Sequence, residues 1–317
     1  MIIGRNILIA DIQITFWTDH PSDTECLQEV FLYHTGTEKA LLGARKRHDV
    51  IVSSSKDKPD LSTGKPLIWE GYINENVPVK WYNRMDEDEN IISVRDDSIL
   101  IRHQSQRSLT VCYLVEKKAR FSKSYRPQLT NCIFFLLHSI ASMHGKYCIH
   151  ASCMAKNGNA YLFLGKSGEG KSTISMLLGA AGWEYMGDDL VFISLDNNGD
   201  VIVDSFLSNI KLANEELNAK ESIDVIKNQH FNYTYKKKLG AIFKLQRTHE
   251  SKESLLVPAS HVEAFSWLMD SVNAINIHYH PEQWINTCEK ASFLPAHTLL
   301  FANKAQFNPD ILNTVFQ

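Results

Sequence analysis

One nine-residue stretch constrains this chain more than any other: Gly165-Lys166-Ser167-Gly168-Glu169-Gly170-Lys171-Ser172-Thr173. It follows the apolar run Tyr161-Leu162-Phe163-Leu164 and precedes Ile174-Ser175-Met176-Leu177-Leu178. That order predicts a strand, a glycine-rich turn and a helix, with the spacing G-x-x-x-x-G-K-[ST] of a phosphate-binding loop. Gly165 and Gly170 are read as supplying backbone angles that side chains disfavour, and Gly168 adds freedom between them. Main-chain N–H groups from 165 to 173 can then turn inward around a diphosphate. The helix opening near Lys171 adds unpaired N–H groups and a partial positive charge. Lys171 would bring its ammonium to the β and γ phosphates, and the Ser172 hydroxyl suits Mg²⁺. The expected ligands are therefore ATP and Mg²⁺.

An acidic pair follows 17 residues after Lys171, in Gly182-Trp183-Glu184-Tyr185-Met186-Gly187-Asp188-Asp189-Leu190-Val191. Phosphoryl transfer needs a carboxylate to hold the metal, and transfer to a hydroxyl benefits from one that accepts its proton. Asp188 and Asp189 can between them supply both roles, with the metal beside Ser172. The bland alternative is a pair of turn acids at a strand end.

Together, His150-Ala151-Ser152, a strand hairpin, the Gly165–Thr173 loop and the Asp188-Asp189 strand resemble the C-terminal domain of HPr kinase/phosphorylase. The resemblance runs from about residue 147 to 212. It implies a phosphoenolpyruvate carboxykinase-like phosphate-loop fold, with Lys171 and Ser172 as phosphate and Mg²⁺ ligands and Asp188 as the acid/base. It also implies a role for His150 against the aspartate or the phosphate. Where that family carries a Glu-x-Arg-Gly-type signature, this chain has Asp204-Ser205-Phe206-Leu207-Ser208-Asn209, with Asp204 a weak substitute for the family's metal-binding glutamate. The overall plan resembles the HPr kinase-like enzymes of lasso-type ribosomal-peptide pathways, which implies a serine on a peptide as acceptor.

The 317 residues suit about two domains. Before residue 125, short strand-like runs alternate with turn clusters: Ile7 to Trp17, Glu29 to Tyr33, Val50 to Ser53, Leu67 to Ile73, Asn90 to Val94, Ile99 to His103 and Leu109 to Glu116. Residues 1–125 are thus expected to be a β-rich domain for substrate or partner recognition, and 126–317 an α/β kinase-like domain. The basic segment Glu116 to Arg126 reads as a solvated junction or a basic rim. Helices are expected near Gln128 to Gly145, Asn214 to Asn228, Pro258 to Ser271 and Pro309 to Phe316.

A formal charge of -3 argues against a nucleic-acid partner. No run approaches the roughly 20 apolar residues of a membrane span, so no membrane partner is expected. The N-terminus reads as a strand, not a secretory signal. The six cysteines form no CxxC pair, which together point to the cytoplasm. A homo-oligomer is compatible with all of this.

Weaker constellations remain. His278 and His280 are read on one strand face and could hold Zn²⁺ with Cys288 or Glu282, although no third ligand is identifiable. Alternation along one strand would send Cys148 and His150 to one face and Cys153 to the other. Lys236-Lys237-Lys238 precede a strand ending at Arg247, a candidate cation for the transferring phosphoryl group. The expected activity is an ATP/Mg²⁺-dependent kinase of a serine or threonine hydroxyl on a peptide or small protein. The alternatives are a nucleotide-sensing regulatory module, or a kinase of a small metabolite such as free serine.

Overall fold

The alternation at the N-terminus resolves into two strands, not one, in the computed structural model. It describes residues 3–18, 23, 25, 27–28, 46–53, 67–73, 77–84, 89–94, 99–114, 125–207, 210–214, 219–225, 232–248, 254–272, 280–301 and 307–315. β1 (Ile3–Ile9) and β2 (Ile12–Thr18) pair antiparallel through Ala10 and Asp11, both at positive φ (48° and 64°). Two left-handed residues are what a tight hairpin turn demands. Alternate residues of β2, Ile12, Ile14 and Phe16, are buried, so one face of this sheet makes the core.

The chain forms two compact units, Met1–Ile140 and Ala141–Gln317. In the first, β1 and β2 continue into β3 (Lys46–Ser53), β4 (Leu67–Ile73), β5 (Val77–Arg84), β6 (Glu89–Val94), β7 (Ile99–Gln104) and β8 (Leu109–Leu114). Their order in the eight-stranded sheet is β1-β2-β3-β8-β7-β6-β5-β4. β3 runs parallel to both β2 and β8, and the rest are antiparallel. β5 is absent from the sequence reading, and its Pro78, with no N–H to donate, is unusual in an interior strand. The sheet accepts it one residue from the strand's start, opposite Tyr72. The strand expected at Glu29 to Tyr33 and most of the basic junction lie outside the described residues.

Helix α1 (Tyr125–Met143) covers the helix expected near Gln128 to Gly145, and Phe135, Leu136, Ser139 and Ile140 are buried at helical spacing. In the second unit, the large sheet contains β9 (Tyr147–Ile149), β10 (Ala151–Lys156), β11 (Asn159–Leu164), β12 (Glu184–Gly187), β13 (Val191–Leu195) and β14 (Val201–Ser205). The hairpin β15 (Ile210–Asn214) and β16 (Ala219–Ile223) pairs separately. β17 (Asn232–Tyr233), β18 (Lys236–Arg247), β19 (Leu255–Pro258) and β20 (Ala296–Phe301) complete the large sheet. Its order is β17-β12-β10-β11-β18-β14-β13-β9, with β20 beside β18 and β19 beside β20. Both large sheets mix parallel and antiparallel pairs, and the class is mixed α/β.

Helix α2 (Lys171–Ala180) follows the loop after β11. α3 (His261–Ser271) opens on a reciprocal cap between Ser260 and Glu263, and α4 (Pro281–Ser292) opens on a proline. Ala264 and Leu268 of α3 join Trp284, Cys288 and Ala291 of α4 in one buried cluster with Ala151, Cys153 and Ala155 of β10. Helix α2 also packs on β10, while its buried Ile174 and Leu178 lie outside that cluster. Because side chains alternate across a strand, β10 is covered on both faces, and the phosphate-loop motif sits on a buried strand end. Among the described residues, no helix is long and apolar enough to cross a membrane.

Two helix expectations change. The segment from Asn214 to Asn228 is rich in helix formers, yet its described part forms the β15–β16 ladder, with Ile210 opposite Ile223. Pairing of Ala219–Ile223 with β15, which packs against α2, outweighs that local preference. In contrast, α4 went unforeseen although Trp284, Cys288 and Ala291 recur at i, i+4 and i+7 after Pro281. The last helix is a 3-10 turn, Pro309–Val315.

Candidate functional site

The one strand expected to carry Cys148, His150 and Cys153 breaks at His150. β9 and β10 flank that single residue, yet β9 pairs with β13 and β10 with β11 and β12. The same transfer happens at Asp188-Asp189-Leu190, which joins β12 to β13. Two breaks therefore stand side by side. They are tied together where His150 Nδ1 lies 3.0 Å from the Asp189 main-chain oxygen. A carbonyl oxygen only accepts, so Nδ1 carries the proton and Nε2 keeps its lone pair. The break also undoes the alternation argument for the cysteines, although Cys148 and Cys153 are both fully buried while His150 is exposed.

Asp189 has φ 72°, a left-handed conformation unusual for a side-chain-bearing residue. That turn leaves Asp189 exposed and Asp188 3% exposed. Burial raises the Asp188 carboxyl from the usual carboxylate range to about 6. A hydrogen bond from the Ser172 hydroxyl opposes the rise, Asp189 adds to it, and Lys171 and the Asp189 N–H oppose it. The pair thus splits into a buried acid with a raised proton affinity and an exposed neighbour. His150 is pulled below the usual imidazole value by loss of water around the ring and by the Lys171 charge, with Asp189 acting the other way.

Glycine serves different ends along the loop. Gly168 and Gly170 take φ of 88° and 99°, as left-handed positions require. A Cβ on Gly170 would also lie 2.5 Å from the Phe301 ring. Gly165 differs from expectation: its φ is not positive. Its need for glycine is spatial, since a Cβ there would lie 2.7 Å from Glu169 Oε2. The first helical bond of α2 is Ile174 N–H to Gly170 oxygen, so the N–H groups of Lys171, Ser172 and Thr173 precede it at the anion-binding end. Lys166 and Ser167 are exposed at the loop crest, and Thr173 is buried.

Lys171 is 5% exposed and its Nζ donates to the oxygens of Gly165 (2.8 Å) and Lys166 (3.3 Å). Burial lowers its proton affinity, while Asp189, Asp188 and Glu169 raise it and Lys244 lowers it. Lys171, Ser172, Asp188, Asp189 and His150 therefore share one electrostatic neighbourhood, to which Glu169 and Lys244 also belong. Sequence reasoning missed Lys244 and Phe301. Lys244 is registered opposite Leu164, the residue before the loop, but only the pairing of β11 with β18 reveals that.

Arg247 is exposed at the end of β18, registered with Phe301, whose ring rests on Gly170. Lys236, Lys237 and Lys238 are strand residues, not a loop. Their ammonium groups face Asp204 (3.8 Å), Glu184 (3.6 Å) and Asp200 (2.7 Å). Lys238 is registered with Asn159, roughly 20 Å along β11 from the loop. Buried Asp204 accepts from Lys146 at 2.7 Å, so an internal ion pair engages the weak substitute for a metal-binding glutamate. His280 is the cap residue at the start of α4, not a strand residue; Glu282 in that helix is exposed and Cys288 is fully buried. His278 lies outside the described residues, and among the described residues no three His, Cys, Asp or Glu side chains group as a metal site.

The chain is similar to the HPr(Ser) kinase/phosphatase from Coxiella burnetii, at 15% identity and a TM-score of 0.32 over 53% of this chain and 91% of that one. No family model matches the sequence. No curated protein matches it either.

Proposed function

We propose that this protein is an ATP- and Mg²⁺-dependent kinase acting on a serine or threonine hydroxyl of a peptide or small protein. The observation that carries the reading is the buried Asp188 carboxyl, raised to about 6 beside Ser172 and Lys171 at the end of a glycine-rich loop. A carboxylate with that value is still about nine-tenths ionised at pH 7, yet is a stronger base than an ordinary aspartate.

The donor set fits the proposed ligands. Left-handed Gly168 and Gly170, the start of α2 and the Lys171 ammonium suit a polyphosphate. The Ser172 hydroxyl and the Asp189 carboxylate are hard oxygen donors of the kind Mg²⁺ accepts. A bound magnesium ion would neutralise charge on the β and γ phosphates and orient them.

This chain's residues then divide the work. Lys171 leaves the Gly165 and Lys166 oxygens for phosphate oxygens, and the first N–H groups of α2 hold the same anion. Asp188 takes the proton of the attacking hydroxyl as its oxygen bonds to the γ-phosphorus. The bond from that phosphorus to the bridging oxygen breaks, and ADP leaves. His150 steadies the Asp189 turn through Nδ1–H, keeping both acids in register with the loop. The acceptor class rests on the resemblance of the His150, loop and Asp188-Asp189 order.

Incubation with γ-labelled ATP, comparing free serine, serine peptides and a cell extract, tests the reading. Label on serine peptides supports it. Label on free serine alone moves the activity to a small metabolite.

A further inference from the structure

The Gly165–Lys166 peptide unit is gripped on both sides by side chains from the far arm of its own loop. Its carbonyl accepts from Lys171 Nζ at 2.8 Å, and its N–H donates to Glu169 Oε2 at 2.6 Å. The Glu169 side chain lies directly over Gly165, close enough that a Cβ there would meet Oε2 at 2.7 Å and the Glu169 Cβ at 3.3 Å. Its charge also raises the proton affinity of Lys171. The Glu169 carboxylate thus already engages the Lys166 amide, and two main-chain carbonyls engage the Lys171 ammonium, groups that a polyphosphate would use.

We infer that Glu169 is the loop's own anion: its carboxylate holds the Lys166 N–H and competes with an incoming phosphate for that position. Glu169 thereby sets the affinity of the site. This rests on the reading of the loop as a polyphosphate site and adds a residue that weakens binding where the motif alone suggests only residues that strengthen it.

The physical basis is a short, charge-assisted hydrogen bond closing a three-residue span, which costs little chain entropy to form. Phosphate must break it before gaining the same N–H. The displaced carboxylate then stays attached beside a ligand of its own sign. Removing it deletes both penalties and leaves the main-chain donors in place. One charged hydrogen bond lost from the closed state corresponds to about a tenfold gain in apparent affinity.

The test is titration calorimetry of the full chain with pyrophosphate and with ATP, each in excess Mg²⁺, using wild type, Glu169→Gln and Glu169→Ala. Thermal melting without ligand reports the fold of each variant. Glu169→Ala is expected to bind both probes about tenfold tighter than wild type, Glu169→Gln, which keeps a neutral acceptor, tighter by a smaller factor, and both to melt slightly lower without ligand. Equal or weaker binding in both folded variants overturns the inference while leaving the nucleotide site intact. Failure of all three proteins to bind either probe overturns the nucleotide reading and this inference together.

Discussion

His150 and Asp189 meet through one ring nitrogen and one main-chain oxygen, 3.0 Å apart, joining two strand breaks 39 residues apart in sequence. The His150 ring donates here to a main-chain oxygen, and its partner is the residue whose left-handed turn separates the two carboxyl groups.

His150→Ala removes that donor from the turn. Turnover is expected to fall roughly tenfold and the Mg²⁺ requirement to rise, the cost of one misplaced positioning contact. His150→Asn can offer an amide N–H near the position of Nδ1, and should recover most of the loss. Equal loss in both variants, measured by turnover against Mg²⁺ concentration, would show that the ring acts by other means.

Asp188→Asn separates stability from chemistry. The folded chain holds a proton at Asp188 that the unfolded chain releases at lower pH. The cost of the buried charge is therefore full above about 6 and fades as pH falls through that value. The rise from the usual carboxylate value corresponds to about 3 kcal/mol. Denaturant unfolding should find the asparagine variant more stable at pH 8 by up to about that amount, with the gain shrinking below pH 6. An unchanged or lower stability at pH 8 would contradict the burial argument.

The same group sets the pH profile. Phosphoryl transfer should fall about tenfold per pH unit below about 6, as the base becomes protonated. The limb should be absent from residual activity of Asp188→Asn. A flat profile down to pH 5 in wild type would remove Asp188 from the proton's path.

Gly170 meets two constraints at once, a φ of 99° and the Phe301 ring 2.5 Å from where a Cβ would stand. Gly170→Ala is expected to cost about 2 kcal/mol or more and to weaken nucleotide binding at least tenfold. Adding Phe301→Ala relieves the contact but leaves the backbone strain, so thermal melting should show partial recovery only. Full recovery would mean that the clash is the whole effect.

The loop, the helix after it and the acid pair were legible because each rests on local pattern: glycines, a lysine and two aspartates at short spacing. The His150 break was not, because Cys148 to Ala155 reads as one apolar run and only the pairing of β9 with β13 divides it. Nor was the Glu169 contact, since the motif treats that position as free. Helix-forming residues after Asn214 misled because their fate is decided by pairing with β15, which itself packs on α2. Lys244 and Phe301 approach the loop from strands far along the chain, through parallel pairing that leaves no local signature.

A single-turnover assay addresses the central claim most directly: wild type and Asp188→Asn, each saturated with γ-labelled ATP and Mg²⁺ and offered a serine peptide pool. Wild type should transfer label to serine, while the variant binds ATP comparably and transfers at least a hundredfold more slowly. Equal transfer by the two proteins, or no ATP bound by either, would contradict it.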